Sequence, residues 1–175
     1  MNDFKSQKAL RLTPETLAAQ VLDGDNLHNL LSFVKTLRSN GLKIKLAAKN
    51  AWEIIVSKPA SNYTNNQILR RLRINPDDKS WSVSLHYFTG YKDHVKDDET
   101  IKFVWDNLYN KVCHNKDCAS IKDMYVFDKK FSSMCCNEQI RILNPSDKEL
   151  KHAETLIMTA KHIVENKAPC KRLNL

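Results

Sequence analysis

The sequence predicts an α+β domain, with a mainly antiparallel sheet of about five strands and helices packed on one face. Both ends of the chain show the 3.6-residue apolar spacing of amphipathic helices, and the middle shows the two-residue alternation of half-buried strands. The predicted order of elements is α-α-β-β-β-α-β-β-α. Helices that cover one side of an antiparallel sheet define this class.

Two helices are predicted before the first strand. Thr13 followed by Pro14 is a capping residue before a proline at the first helical position, so a short helix is expected towards Leu22. Asp25 is expected to cap a second helix, whose end is predicted at Asn40-Gly41. Its apolar residues follow the i, i+3, i+4, i+7 pattern and are Leu27, Leu30, Leu31, Val34 and Leu37.

A meander of three strands is predicted in the middle of the chain. Its strands are expected around Trp52 to Val56, from Ile68 to Ile74 and from Trp81 to Phe88, with a turn at 75–78. In the third strand, one face is apolar and the other is polar, which is typical of a half-buried antiparallel sheet. The apolar face consists of Trp81, Val83, Leu85 and Tyr87, and the polar face of Ser82, Ser84 and His86.

The second half of the chain contains two further predicted helices and two strands. A helix capped by Asp97 or Asp98 is expected to continue through Val112, and strands are expected within 124–131 and 139–143. Residues 145–149 have the pattern of a proline stop followed by a capping box. They predict a long final helix with Leu150, Ala153, Ile157, Ala160 and Val164 turned inward.

The composition is that of a globular protein with a basic surface. The 175 residues are 42% hydrophobic, without an internal repeat or linker, so we expect one domain over 1–175 with flexible ends at 1–12 and 167–175. No apolar run is long enough for a membrane span and no secretory signal is recognised, which predicts a cytoplasmic protein without a membrane partner. The net charge of +8 predicts an anionic partner, or else a solvated surface with a basic bias.

Four of the five cysteines form the most localised candidate site. Cys113 and Cys118 have a spacing that zinc sites use, and Cys135 and Cys136 could complete the set, with His114 as a substitute ligand. Buried structural thiols and a redox or nucleophilic role are the alternatives. An odd cysteine count without a signal indicates a reducing compartment.

Three strand features are candidate ligand-binding positions. Arg71 and Arg73 share a strand face and could bind phosphate or carboxylate, or could pair with Asp or Glu instead. His86 could face a pocket or solvent. Trp81 could line a cleft between sheet and helix, or belong to the core.

The region 25–165 resembles a group of small uncharacterised bacterial proteins. The resemblance rests on Cys113, Cys118, Lys130-Phe131, Cys135 and Asn144-Pro145 before the closing helix. The group has a Gly-Lys-aromatic turn and a loop with glycine and proline, whereas this chain has Asp128-Lys129 and 119–121 at those places. The resemblance implies no activity.

These observations predict a non-enzymatic module that binds a small ligand or regulates a partner. A zinc- or thiol-dependent protein that uses Cys113–Cys136, and a nucleic-acid binder that uses the basic surface, are the alternatives. No Gly-rich phosphate loop, HExxH or GxSxG motif occurs, so no class of enzyme is predicted.

Overall fold

A computed structural model describes residues 12–47, 52–58, 68–87, 90–109, 122–134 and 139–166. The helices in these ranges are α1 (Pro14–Ala19), α2 (Gly24–Ser39), α3 (Tyr91–His94), α4 (Asp98–Asp106) and α5 (Asp147–Asn166). The strands are β1 (Lys43–Leu46), β2 (Glu53–Ser57), β3 (Ile68–Asn75), β4 (Ser80–His86), β5 (Leu108–Tyr109), β6 (Lys122–Val126), β7 (Lys129–Met134) and β8 (Gln139–Leu143).

Six of these strands form one antiparallel sheet in the order β1-β2-β3-β4-β8-β5. Strands β6 and β7 form a separate antiparallel hairpin. The predicted α+β class, with helices before, between and after antiparallel strands, is confirmed. None of the described helices is both long enough and apolar enough to span a membrane.

The core lies between the helices and one face of the sheet. In β4, Trp81, Val83 and Leu85 are fully buried and belong to the same apolar cluster as residues of α2 and α5. The rings of Trp81 and Phe33 from α2 have centroids 6.4 Å apart, which places α2 directly on this face. The predicted alternation holds at the end of β4, where Ser84 is half-buried and His86 is exposed, but Ser82 on the predicted polar face is buried.

The helix ends follow the predicted capping chemistry with one shift. Thr13 caps α1 in a capping box, and a second box at Ser146 and Glu149 precedes α5. Asp97 caps α4 by accepting from the backbone N–H groups of residues 99 and 100. The prediction that Asp25 caps the second helix is wrong, since α2 begins at Gly24 with residue 23 at the capping position.

The structure also contains elements that the sequence pattern did not predict. The four-residue strand β1 and the single-turn helix α3 are too short to show a period. Helix α4 ends at Asp106 instead of continuing through Val112, because Leu108 pairs with Ile140 at the edge of the sheet. The expected strand around 124–131 is a hairpin with its turn at 127–128. The predicted flexible ends lie outside the described residues, apart from Leu12.

The hairpin is attached to α4 and to the end of β4. The indole Nε1 of Trp105 donates to the carbonyl oxygen of Val126 at 2.8 Å. The backbone N–H of Phe127 donates to the hydroxyl of Tyr87 at 3.1 Å, and the two rings meet edge to face. These contacts hold Val126 and Phe127 in the same apolar core as the helices, while Asp128 of the turn is exposed.

Candidate functional site

The second face of the sheet carries most of the charge of the strands. We call it the open face, because the described helices bury their apolar residues against the opposite face. The register of β1 to β4 and β8 places five cationic side chains and one carboxylate on the open face. The cationic residues are Lys43, Lys45, Arg71, Arg73 and Arg141, and the carboxylate belongs to Glu53.

Glu53 holds the two predicted arginines side by side. Nη1 of Arg71 donates to Oε2 of Glu53 at 2.7 Å, and Nη2 of Arg73 lies 3.6 Å from Oε1. The Glu53 side chain is only 7% exposed, whereas those of Arg71 and Arg73 are 51% and 56% exposed. The carboxylate therefore lies beneath two guanidinium groups that still face solvent, and one positive charge of the trio is left uncompensated.

The sequence predicts that Arg71 and Arg73 either bind an anion or pair with an acidic residue. In the structure these two roles are compatible. An arginine has five N–H donors, and one carboxylate cannot occupy all of them. The fixed fork geometry of a guanidinium suits phosphate and carboxylate oxygens equally well. The trio can thus hold an anionic group above Arg71 and Arg73 without breaking the contact to Glu53.

The neighbours of Arg71 and Arg73 on the open face are serines, lysines and aliphatic residues, and Ile55 lies opposite Arg71. Ser82 lies opposite Arg73, and Ser84 lies between Arg71 and Arg141 in the register. Lys43 and Lys45 are exposed on β1. The position of Arg141 between two isoleucines was a signal in the sequence for its outward direction, whereas the four residues of β1 are too few to show a period. The face became apparent only when the strand order placed them together.

The other two candidate positions lie in different surroundings. His86 is exposed at the end of β4, opposite Gln139. Trp81 is fully buried beside α2, so its side chain contributes to the core and lines no surface cleft among the described residues. Its backbone N–H donates to Oδ1 of Asn144 at 2.9 Å. A ligand-binding role for Arg71, Arg73, His86 and Trp81 stays a prediction.

Arg70 differs from its two neighbours because it is buried on the covered face. The residue is 1% exposed, and its Nη2 donates to the hydroxyl of Tyr91. Burial lowers the pKa of the Arg70 guanidinium, and it raises the pKa of Tyr91 to about 12 despite the adjacent positive charge. Arg70 is in phase with Leu72 and Ile74, which was the signal in the sequence for its inward direction.

A groove of about 600 Å³ lies between α4 and the first turns of α5. The imidazole of His152 and the ring of Phe103 stack in its lining, with centroids 5.0 Å apart. Both lysines of its lining pair with carboxylates, Lys148 with Glu99 at 3.1 Å and Lys102 with Asp106 at 2.5 Å. A third carboxylate, that of Glu149, also lines the groove, so its charge does not favour an anionic ligand.

A chain of hydrogen bonds joins the groove to the start of α4. The Thr100 hydroxyl donates to Oδ2 of Asp97 at 2.5 Å and lies 2.8 Å from Nδ1 of His152. The hydrogen bonds from the hydroxyl and the backbone N–H of Thr100 lower the pKa of Asp97, so the carboxylate is ionised and can only accept. The single hydroxyl proton points at Asp97, which requires His152 to donate from Nδ1. Histidine therefore cannot act as the base that would activate Thr100 as a nucleophile.

The cysteine cluster lies outside the described residues. This applies to Cys113, Cys118, Cys135 and Cys136, to His114 and to the tail residue Cys170. A zinc or thiol role for them stays a prediction. The described part of the chain contains no group of three or more His, Cys, Asp or Glu residues that could hold a metal ion.

Of the residues that carry the resemblance, Lys130, Phe131, Asn144 and Pro145 lie within the described part of the chain. Asn144 and the neighbouring residue Asp128 have unusual backbone geometry, and Asp128 has φ 63°. Asn144 has φ 44°, and it both donates to and accepts from the backbone of Trp81. Asp and Asn tolerate positive φ better than most residues. Their backbone role accounts for these two residues without a ligand.

Comparison with known proteins supplies no relative from which a function could be transferred. The chain matches no family model, no curated protein and no solved structure. The geometry of the open face is therefore the strongest basis for a functional proposal.

Proposed function

We propose that this protein is a non-enzymatic binding module whose open face binds an anionic ligand. The observation that carries the proposal is the concentration of five cationic side chains around a single carboxylate on one sheet face. Clustered cations on a rigid surface attract anions at long range and contact them directly.

The arrangement of Arg71 and Arg73 supports the same proposal. A flexible surface arginine loses rotamer freedom when it binds a ligand, and this loss weakens affinity. Here the buried Glu53 restrains both guanidinium groups before a ligand arrives. The site is thus preorganised for a planar or tetrahedral oxyanion, with the backbone of three adjacent strands as its support.

The absence of a nucleophile–base pair in the groove supports a binding role over an enzymatic one. The hydroxyl of Thr100 lies close to His152, but it directs its proton to Asp97. The described residues of the open face present cations, the half-buried Ser84 and one carboxylate, which already contacts Arg71 and Arg73. Such a set of side chains can hold a charged group and has no evident means of transforming it.

Thermal unfolding with and without sodium tripolyphosphate tests this proposal. A ligand that binds only the folded state raises the unfolding midpoint. We expect a concentration-dependent rise for the wild type at constant ionic strength, and no rise for Arg71→Gln/Arg73→Gln. The matched control is Lys35→Gln/Lys151→Gln, which removes two exposed charges from helices α2 and α5 and should respond like the wild type. Equal shifts in all three proteins would refute the proposal.

A further inference from the structure

Three cations of the open face are aligned by the strand register across the sheet. Residues 45, 55, 71, 84 and 141 are successive register partners on five neighbouring strands. Lys45, Arg71 and Arg141 occupy every second position of this row, and the intervening residues are Ile55 and Ser84. Since neighbouring strands lie ~4.8 Å apart, the cations are spaced at ~10 Å and the row is ~19 Å long.

The length of the row indicates an extended ligand. A single phosphate or a short polyphosphate can contact the Arg71–Arg73 pair, but it cannot reach Lys45 and Arg141 together. A nucleic-acid duplex carries about one negative charge for every 1.7 Å of its axis, so a ~19 Å contact offers each cation several phosphates. A continuous polyanion can contact all three cations of such a row at once.

The composition of the open face favours a duplex over a single strand. Sheet surfaces that bind single strands stack the bases on aromatic side chains. The side chains described for the open face of β1 to β4 and β8 include no Phe, Tyr or Trp. Ser84 and Leu143 are accessible beside the cations, whereas Ile55 and Ser82 are buried. Cations and hydroxyls contact phosphate oxygens, which positions a duplex without reading its bases.

We infer that the anionic ligand is a nucleic-acid duplex, contacted through its phosphates along the row Lys45–Arg71–Arg141. This inference rests on the proposed function and specifies its ligand. The contact is independent of base sequence, and its affinity falls as the salt concentration rises. The buried carboxylate of Glu53 keeps Arg71 in the row while its neighbour Arg73 supplies an additional contact at the same place.

Fluorescence anisotropy with the full chain tests the inference. The probes are a labelled 20-base-pair DNA duplex, one of its strands alone, and unlabelled sodium tripolyphosphate as a competitor. Arg71→Gln/Arg141→Gln removes two cations of the row, and Lys35→Gln/Lys151→Gln is the control with the same net charge. Circular dichroism and unfolding midpoints establish that all variants are folded.

We expect the wild type and the control to bind the duplex more tightly than the single strand. The row variant should bind the duplex about tenfold more weakly, with a slope of log K against log salt that is shallower by about 1.8 units. Equal loss in the control would mean that net charge alone attracts the duplex, and tighter binding of the single strand would also overturn the inference.

The two proposals fail in different ways. If tripolyphosphate raises the unfolding midpoint through Arg71 and Arg73 while the duplex does not bind, the anion-binding function stands and the duplex inference is wrong. If the duplex and tripolyphosphate both fail to bind, both proposals are wrong.

Discussion

Strand β3 has three arginines within four residues, and they lie in two different environments. Arg70 is buried on the covered face and donates to Tyr91, whereas Arg71 and Arg73 extend over Glu53 on the open face. Their residue type and strand are the same. A single step along a strand reverses the face, so position relative to the helices decides the environment.

A count of positive charges along β3 is therefore a poor guide to its binding surface. The sequence presents residues 70, 71 and 73 as one cluster, yet a ligand on the open face can reach only two of them. The buried arginine is part of the packing between the sheet and α3. Changes at Arg70 should therefore alter stability, and changes at Arg71 and Arg73 should alter binding.

The largest effect is expected from Arg70→Ala. The substitution leaves a cavity beneath α3 and removes the donor to the Tyr91 hydroxyl, so we expect a loss of about 3 kcal/mol in the free energy of unfolding. Arg70→Met should lose far less, because it restores most of the volume without a buried charge. Urea unfolding of the two variants and the wild type measures both losses in the free energy of unfolding. A loss in Arg70→Met as large as in Arg70→Ala would show that the hydrogen bond, not the packing, is decisive.

A second effect concerns Tyr91 at alkaline pH. Burial raises its pKa in the folded protein to about 12, from an ordinary value of 10.0. A raised pKa stabilises the fold at pH values below 10, and this contribution is lost as the pH rises from 10 towards 12. Two units correspond to about 3 kcal/mol.

The measurement is the free energy of unfolding between pH 9 and pH 12 for the wild type and Tyr91→Phe. The variant lacks the titrating hydroxyl, so its stability should fall less steeply, while the other titrating groups are common to both proteins. Parallel pH profiles would contradict the burial of a protonated hydroxyl at this position.

The smallest effect on stability is expected on the open face. Both arginines of the pair with Glu53 are more than half exposed, and ion pairs of exposed residues contribute about 0–1 kcal/mol each. We therefore expect Arg71→Gln/Arg73→Gln to lower the free energy of unfolding by about 1 kcal/mol, as measured by urea unfolding. A loss similar to that of Arg70→Ala would make the pair structural and would weaken the distinction between the two faces.

The sequence predicts the fold class and the faces of the long elements because these depend on local periodicity. Trp81, Val83 and Leu85 recur at every second residue because one face of β4 is buried. Leu150, Ala153 and Ile157 recur at helical spacing because one face of α5 is buried. Local periodicity does not predict short elements. Four residues in β1 and two in β5 are too few to establish a period, and their pairing depends on partners that are distant in sequence.

The candidate site could be predicted only in part. Arg71 and Arg73 are adjacent in sequence, and their shared face follows from the two-residue period of a strand. Glu53, Lys45 and Arg141 join them only through the strand order, which brings together residues as much as 96 positions apart in the chain. Nothing in local periodicity determines that order. The hydrogen-bond chain from Asp97 to His152 depends in the same way on how α4 packs against α5.

The two lysines of β1 have a consequence beyond the attraction of anions. β1 is an outer strand of the sheet, and such strands expose unpaired backbone groups that a second copy of the chain could extend into a continuous sheet. Lys43 and Lys45 would bring like charges together in such an assembly. The opposite border, β5, has two residues in the described part of the chain. At the β1 border, the like charges of Lys43 and Lys45 thus oppose the pairing of two copies.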